Sequence, residues 1–266
     1  MSEPLRLLAE NPLALSAGDR LHLAETAAPE YAPRLTVASG RLPRLAPGTL
    51  LTPAAAAPIL RIEGVFSRPG DGDIPASRAC VAAVLEPGNL PAGETVFTAA
   101  KSGLALAWIT LSDKGSQGLR ADAAGPAIAA TCAAALPVAL AKGHIIPDEP
   151  GMLKALLVDL ALTQGYDLIV TTGGTGLSPR DTTPEATLAV IEKRLPGFET
   201  AMLTASLAKT RHAMLSRAVA GTLGQSLIVN VPGSPKAVRE TLAAILPAIP
   251  HGLDKLCGDP SDCAQV

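Results

Sequence analysis

The residues best placed to do chemistry lie in three short loops, each following an apolar run of strand length. The first, Ser112-Asp113-Lys114-Gly115-Ser116-Gln117-Gly118, follows the run 104–111. The second, Thr171-Thr172-Gly173-Gly174-Thr175-Gly176, follows the run 167–170 and continues through Ser178-Pro179-Arg180-Asp181. The third, Pro232-Gly233-Ser234-Pro235, follows the run 226–231 and opens a helix. Glycines let backbone N–H groups approach phosphate oxygens, and helix N-termini attract anions. The three loops therefore describe an anion pocket, with Ser112, Asp113, Thr172, Gly173, Gly174, Thr175, Gly176, Pro232, Gly233 and Ser234 as its candidate binding residues. Taken alone, Gly-Gly-Thr-Gly reads equally well as a tight turn. No glycine is followed by Lys-Ser or Lys-Thr, which excludes a P-loop, and no G-x-G-x-x-G follows a strand.

Two carboxylates accompany these loops. Asp181 sits a few residues beyond the glycine turn, where it would repel a bound phosphate by about 4 kcal/mol at ~4 Å and an effective dielectric near ~20. A divalent cation between the two reverses that sign, and Mg²⁺ suits mixed carboxylate and phosphate ligation. Asp148, in Ile145-Ile146-Pro147-Asp148-Glu149-Pro150, is the second candidate. It stands just before a helix, so it reads also as an N-cap contributing about 1 kcal/mol.

The elements that must hold these residues follow from periodicity. A helix with Pro126 near its first turn is expected between Pro126 and Pro137. Leu153, Leu156, Leu157 and Leu160 share one helical face after Pro150, and Gly165 ends that helix. Thr182-Thr183-Pro184-Glu185 has the form of a capping box opening a helix to about Leu195, with another over 198–210 and a last one over 236–246. Apolar strands alternating with crossover-length helices predict an α/β fold with a mostly parallel sheet and helices on both faces. Ligands of such sheets gather at the carboxyl ends of the strands.

The first hundred residues differ. Proline and glycine recur every few positions, and runs such as Ile59-Leu60-Arg61-Ile62 and Thr95-Val96-Phe97 are short, which predicts a small β-barrel or sandwich. Asp71 and Asp73 fall in a glycine-rich turn that turn chemistry accounts for. Lys101-Ser102-Gly103 reads as a linker, dividing a β-rich segment, 1–100, from 101–266.

A net charge of −2 and an aromatic content of 2% argue against a nucleic-acid partner. Cys80, Cys132, Cys257 and Cys263 show no zinc or redox spacing. Residues 123–141 are uncharged, but they are alanine-rich and interrupted by Gly125, Pro126 and Pro137, so no membrane span is expected. The first ten residues lack a basic stretch leading into an apolar core, and a cytoplasmic protein is expected.

The run from Thr171 to Thr187, TTGGTGLSPRDTTPEAT, closely resembles the signature of the MogA/MoaB molybdopterin-binding family. Leu111-Ser112-Asp113, Gly125-Pro126, Ile146-Pro147-Asp148-Glu149, Leu215-Ser216-Arg217 and Asn230-Val231-Pro232-Gly233-Ser234-Pro235-Lys236 agree with it in order and spacing. The resemblance implies a three-layer α/β/α domain, a homotrimer, and a pocket for the pterin phosphate. It implies transfer of AMP from Mg²⁺-ATP to molybdopterin, with release of pyrophosphate and hand-over to a molybdenum insertase. Asp148 and Asp181 match the two acidic residues the family enzymes need, which makes them the implied catalytic residues and Mg²⁺ ligands. Ala124 departs from the hydroxyl residue many relatives carry before the glycine matching Gly125. A non-catalytic molybdopterin carrier is the alternative reading; insertases embed the same fold in much longer chains. Residues 85–94, LEPGNLPAGE, loosely resemble the last strands of a MOSC β-barrel.

Overall fold

Turn residues every few positions leave room only for short strands in the N-terminal part. They are β1 (Leu5–Ala9), β2 (Leu13–Leu15), β3 (Arg20–Ala24), β4 (Arg34–Val37), β5 (Leu50–Pro53), β6 (Leu60–Arg68), β7 (Ser77–Val84), β8 (Gly88–Leu90) and β9 (Gly93–Ala100). The computed structural model describes residues 4–26, 33–54, 56–70 and 76–260; Asp71, Asp73 and Cys263 lie outside them. The chain divides into two compact units, Met1–Gly103 and Leu104–Val266.

In the first unit, seven strands close a barrel in the order β1-β4-β3-β7-β6-β5-β9, with β9 antiparallel to β1. β2 and β8 form a separate ribbon. Alternation fills the interior: β1 buries Leu5, Leu7 and Ala9 and turns Arg6 and Leu8 outward. Leu7, Leu23, Leu51, Ile62 and Phe97 meet in the core. Closure leaves the barrel without an edge strand to template aggregation.

The second unit runs β10 (Leu104–Leu111), α1 (Asp113–Ser116), α2 (Ala124–Ala135), β11 (Val138–Ile146), α3 (Pro150–Val158), β12 (Leu168–Thr172), α4 (Thr183–Leu188), β13 (Lys193–Arg194), α5 (Pro196–Leu207), β14 (Ala220–Leu223), β15 (Ser226–Val231), α6 (Pro235–Ile245) and α7 (Ile249–Leu256). The sheet order is β11-β10-β12-β15-β14-β13. β11, β10, β12 and β15 are parallel, and β14 is antiparallel to β15 and β13. Successive residues of the central strands enter opposite cores. Leu106, Val170 and Val229 pack with Ile128, Val238 and Leu242, while Ile109, Ile169 and Ile228 pack with Leu153, Leu157 and Leu160.

Several elements depart from expectation. Past Pro137, which bounds the expected helix, the chain enters an edge strand that was not expected, β11, whose polar Lys142 and His144 broke up its apolar signal. α3 passes into a wider π-helical turn, Asp159–Gln164, before Gly165 ends it at φ 81°. α4 ends at Leu188, well short of Leu195, because Lys193 and Arg194 pair with β14. The capping box is not made. Thr182 offers no side-chain hydrogen bond to the helix, and Glu185 pairs with Arg217 instead. Among the described residues no helix is long and apolar enough to cross a membrane.

Candidate functional site

The loops after β10, β12 and β15 emerge at the carboxyl end of the parallel strands and surround a cavity of about 550 Å³. Ser112, Asp148, Thr172, Gly173, Gly174, Asp181, Gly233 and Ser234 line it. Asp113 stands behind that lining, bonded to Asp148. Thr175 and Gly176 lie further along the glycine loop, and Pro232 faces a neighbouring cavity of about 420 Å³.

The glycine loop has its shape because two residues adopt positive φ, 97° at Gly173 and 62° at Gly174. A β-carbon at Gly173 would come within 2.5 Å of the Leu111 carbonyl oxygen, and one at Gly174 would overlap the Thr183 hydroxyl. That hydroxyl donates to the Gly173 carbonyl at 3.0 Å, and the Thr172 hydroxyl donates to Pro232 O at 2.8 Å. Arg217 fixes the far side of the loop. Its backbone N–H reaches Thr175 O at 3.0 Å, Nε reaches Gly176 O at 2.9 Å, and Nη2 reaches Asp181 O at 2.5 Å.

Asp148 does not cap α3; Glu149 holds the N-cap position and its side chain makes no capping bond. Asp148 and Asp113 instead exchange backbone-to-carboxylate bonds: Asp113 N–H donates to Asp148 Oδ2 at 3.2 Å, and Asp148 N–H to Asp113 Oδ1 at 3.0 Å. Arg180 bridges Asp113 at 2.7 Å and Glu149 at 3.0 Å. The Asp148 N–H and the Arg180 guanidinium hold the Asp113 carboxyl below the usual carboxylate range. Asp148 shifts the other way: burial raises it, and the charges of Asp113 and Asp181 add to the rise. Asp181 Oδ2 accepts from Ser178 N–H at 2.8 Å.

Two helix N-termini border the cavity. At α6, Ser234 caps through its hydroxyl and no carboxylate intervenes. At α2, Asp122 occupies the corresponding place, accepting from Ala124 N–H at 3.1 Å, Gly125 N–H at 2.9 Å and the Thr110 hydroxyl at 2.8 Å. The N-terminus of α6 thus offers free amides to an anion, whereas at α2 they are taken by Asp122, which lines the cavity together with Arg120. Sequence reasoning passed over Asp122, Arg180, Thr183 and Arg217. Asp122 carried a signal, an acidic residue just ahead of a helix with proline in its first turn. The buried Cys80 and Cys132 take no part, since burial pushes each thiol up to about 12.

Residues 107–251 match the family of probable molybdopterin-binding domains. The chain belongs to this molybdopterin-binding family. It is 41% identical over 152 residues to the molybdopterin adenylyltransferase of Helicobacter pylori (strain J99), covering 57% of this chain and 86% of that protein. It is also 41% identical over 161 residues to gephyrin of Dictyostelium discoideum, where the match covers 57% of this chain but only 22% of the longer protein. Among solved structures, the molybdopterin biosynthesis enzyme MoaB of Thermus thermophilus shares 45% identity, with a TM-score of 0.55 over 60% of this chain and 99% of that one. The family's matched span begins after the barrel, which lies outside it.

Proposed function

We propose that the molybdopterin-binding unit is a molybdopterin adenylyltransferase of molybdenum cofactor biosynthesis. The observation that carries this reading is the convergence of Asp148, Asp181 and the positive-φ glycine loop on one cavity, in a family whose relatives include enzymes of that name. A phosphate oxygen of molybdopterin attacks the α-phosphorus of ATP, the bond from that phosphorus to the bridging oxygen breaks, and pyrophosphate leaves. The backbone amides of the glycine loop and the N-terminus of α6 hold the phosphates, and positioning supplies most of the catalysis. Asp122, beside the N-terminus of α2, would accept N–H donors from a heterocycle. Thr172, Thr183 and Arg217 keep the loop in shape.

The carboxylates fit Mg²⁺. Asp148 and Asp181 both face the cavity, and the Arg180 guanidinium is engaged by Asp113 and Glu149. Among the described residues no group of three or more His, Cys, Asp or Glu forms a metal cage, so substrate phosphates and water would complete the coordination. When bound there, Mg²⁺ would neutralise the charge gathered on the phosphates.

The sheet, with one core on each face, reads as the three-layer form of the fold. Leu188, Leu203, Met214 and Leu215 are exposed apolar residues of the same unit, which supports association into the expected homotrimer. The barrel reads as a separate MOSC-like domain joined to this enzyme, and hand-over of the product to a molybdenum insertase completes the proposal. Asp181→Asn tests the carboxylate role, because an asparagine oxygen can still accept from Ser178 N–H. With ATP labelled at the α-phosphate, the variant should bind molybdopterin normally yet lose at least roughly a hundredfold in label transfer. Transfer at the wild-type rate would remove Asp181 from the mechanism.

A further inference from the structure

We propose that the N-terminal barrel carries an anion site of its own, built for a phosphate group and independent of the adenylyltransferase reading. A cavity of about 420 Å³ in this unit is lined by Glu25, Arg41, Leu42, Ser67, Ser77 and Arg78, with Ala76 at its rim. Three observations point to a ligand.

First, Arg41 and Arg78 approach the cavity from different parts of the chain, a loop after β4 and the strand β7, and neither has a carboxylate partner among the described residues. Four other arginines of the barrel are paired with carboxylates, Arg6 with Glu94, Arg20 and Arg61 with Glu63, and Arg34 with Glu10, and Arg68 donates to the Thr26 hydroxyl. Second, the Ser77 hydroxyl oxygen is buried and has no hydrogen-bond partner among the described residues. A buried hydroxyl left unmade costs free energy, so a bound acceptor beside it restores what folding removed. Third, among the described residues the one carboxylate on the cavity wall, Glu25, accepts from Leu42 N–H at 3.0 Å.

Two guanidinium groups and a hydroxyl donor suit a tetrahedral oxyanion better than a planar carboxylate, because the donors come from separate elements rather than one fork. Arg41 also lines an adjoining cavity of about 540 Å³ with Arg6, Ser39 and Val37. Space beyond the phosphate position therefore exists for an organic group. The shared chemistry is a phosphate, supplied either as the free ion or as a phosphomonoester.

The test is hydrogen-exchange mass spectrometry on the full chain, titrated with inorganic phosphate and, separately, with ribose 5-phosphate. Slower exchange is expected over residues 39–46 and 76–84 on titration, and the readout is separate from the glycine loop at 171–181. Arg41→Ala/Arg78→Ala should weaken that protection by roughly a hundredfold in concentration, about tenfold for each charge-assisted contact. Ser77→Ala, which leaves both charges in place, should weaken it severalfold, and its intact thermal transition guards against misfolding. Tighter protection by ribose 5-phosphate would assign the site to phosphomonoesters, and equal protection to free phosphate. Absent protection in these segments at saturating phosphate, or protection unchanged in the folded double-arginine variant, would overturn the proposal.

Discussion

Replacing Gly174 by alanine probes the loop at the point where its shape and its ligand coincide. Gly174 has φ 62°, and an alanine there bears the left-handed penalty of about 1–2 kcal/mol. Its β-carbon would also displace the Thr183 hydroxyl, which donates to Gly173 O at 3.0 Å. Losing that bond adds about 1 kcal/mol. Gly174→Ala should thus destabilise by about 2–3 kcal/mol, and Thr183→Ala alone by about 1 kcal/mol. The double variant has no hydroxyl left to displace, so it should be no less stable than Gly174→Ala. Independent sites would give about 3–4 kcal/mol; the shared hydroxyl predicts a coupling of about 1 kcal/mol, above the usual scatter of additive pairs. Urea unfolding of the four proteins measures this, and calorimetric titration should show molybdopterin affinity down at least tenfold in Gly174→Ala, about 1.4 kcal/mol. Strict additivity would mean that the Thr183 hydroxyl does not sit over Gly174, and unchanged affinity would place the phosphate elsewhere.

Asp148→Asn should be more stable than the parent at neutral pH in metal-free buffer containing chelator. The Asp148 carboxyl is raised in the folded state by burial and by Asp113 and Asp181, so its ionised form opposes folding, and the advantage of asparagine should shrink as pH falls through that raised value. Thermal melts across pH check this; an advantage that grows on acidification would contradict the assignment. Residues 102–266 should fold, form trimers and bind molybdopterin without the barrel, since all the loops around the cavity belong to that unit. Light scattering followed by pterin titration checks this, and an aggregated or pterin-blind fragment would show that the barrel is needed.

The strands that carry the site were legible because they are buried on both faces. β12 and β15 are each built on an uninterrupted apolar run, Leu168-Ile169-Val170 and Leu227-Ile228-Val229, and each delivers its loop to the cavity. β11 and β14 were not, for two different reasons. β11 is an edge strand that mixes polar and apolar residues, and β14 is four residues long with a glycine inside. The glycine loop and both aspartates could be named from local sequence, whereas the groups that position them act over long separations. Arg180 reaches Asp113 across 67 residues, and Arg217 reaches Gly176 across 41. The same distance problem undid the capping box at Thr182. The local pattern was present, but Arg217, 32 residues away, claimed the Glu185 carboxylate. Asp148 shows the opposite case. Its place before a helix suggested a cap, yet the partner it found was Asp113, 35 residues earlier.

The most direct test of the central claim is a single-turnover mixture of the purified chain, molybdopterin and Mg²⁺-ATP, with pyrophosphate and adenylylated pterin both quantified. An adenylyltransferase releases one pyrophosphate for each adenylyl group placed on the pterin phosphate, and neither appears when Mg²⁺ is withheld. Tight molybdopterin binding with no pyrophosphate would contradict the account and leave this chain a carrier with an adenylyltransferase's fold.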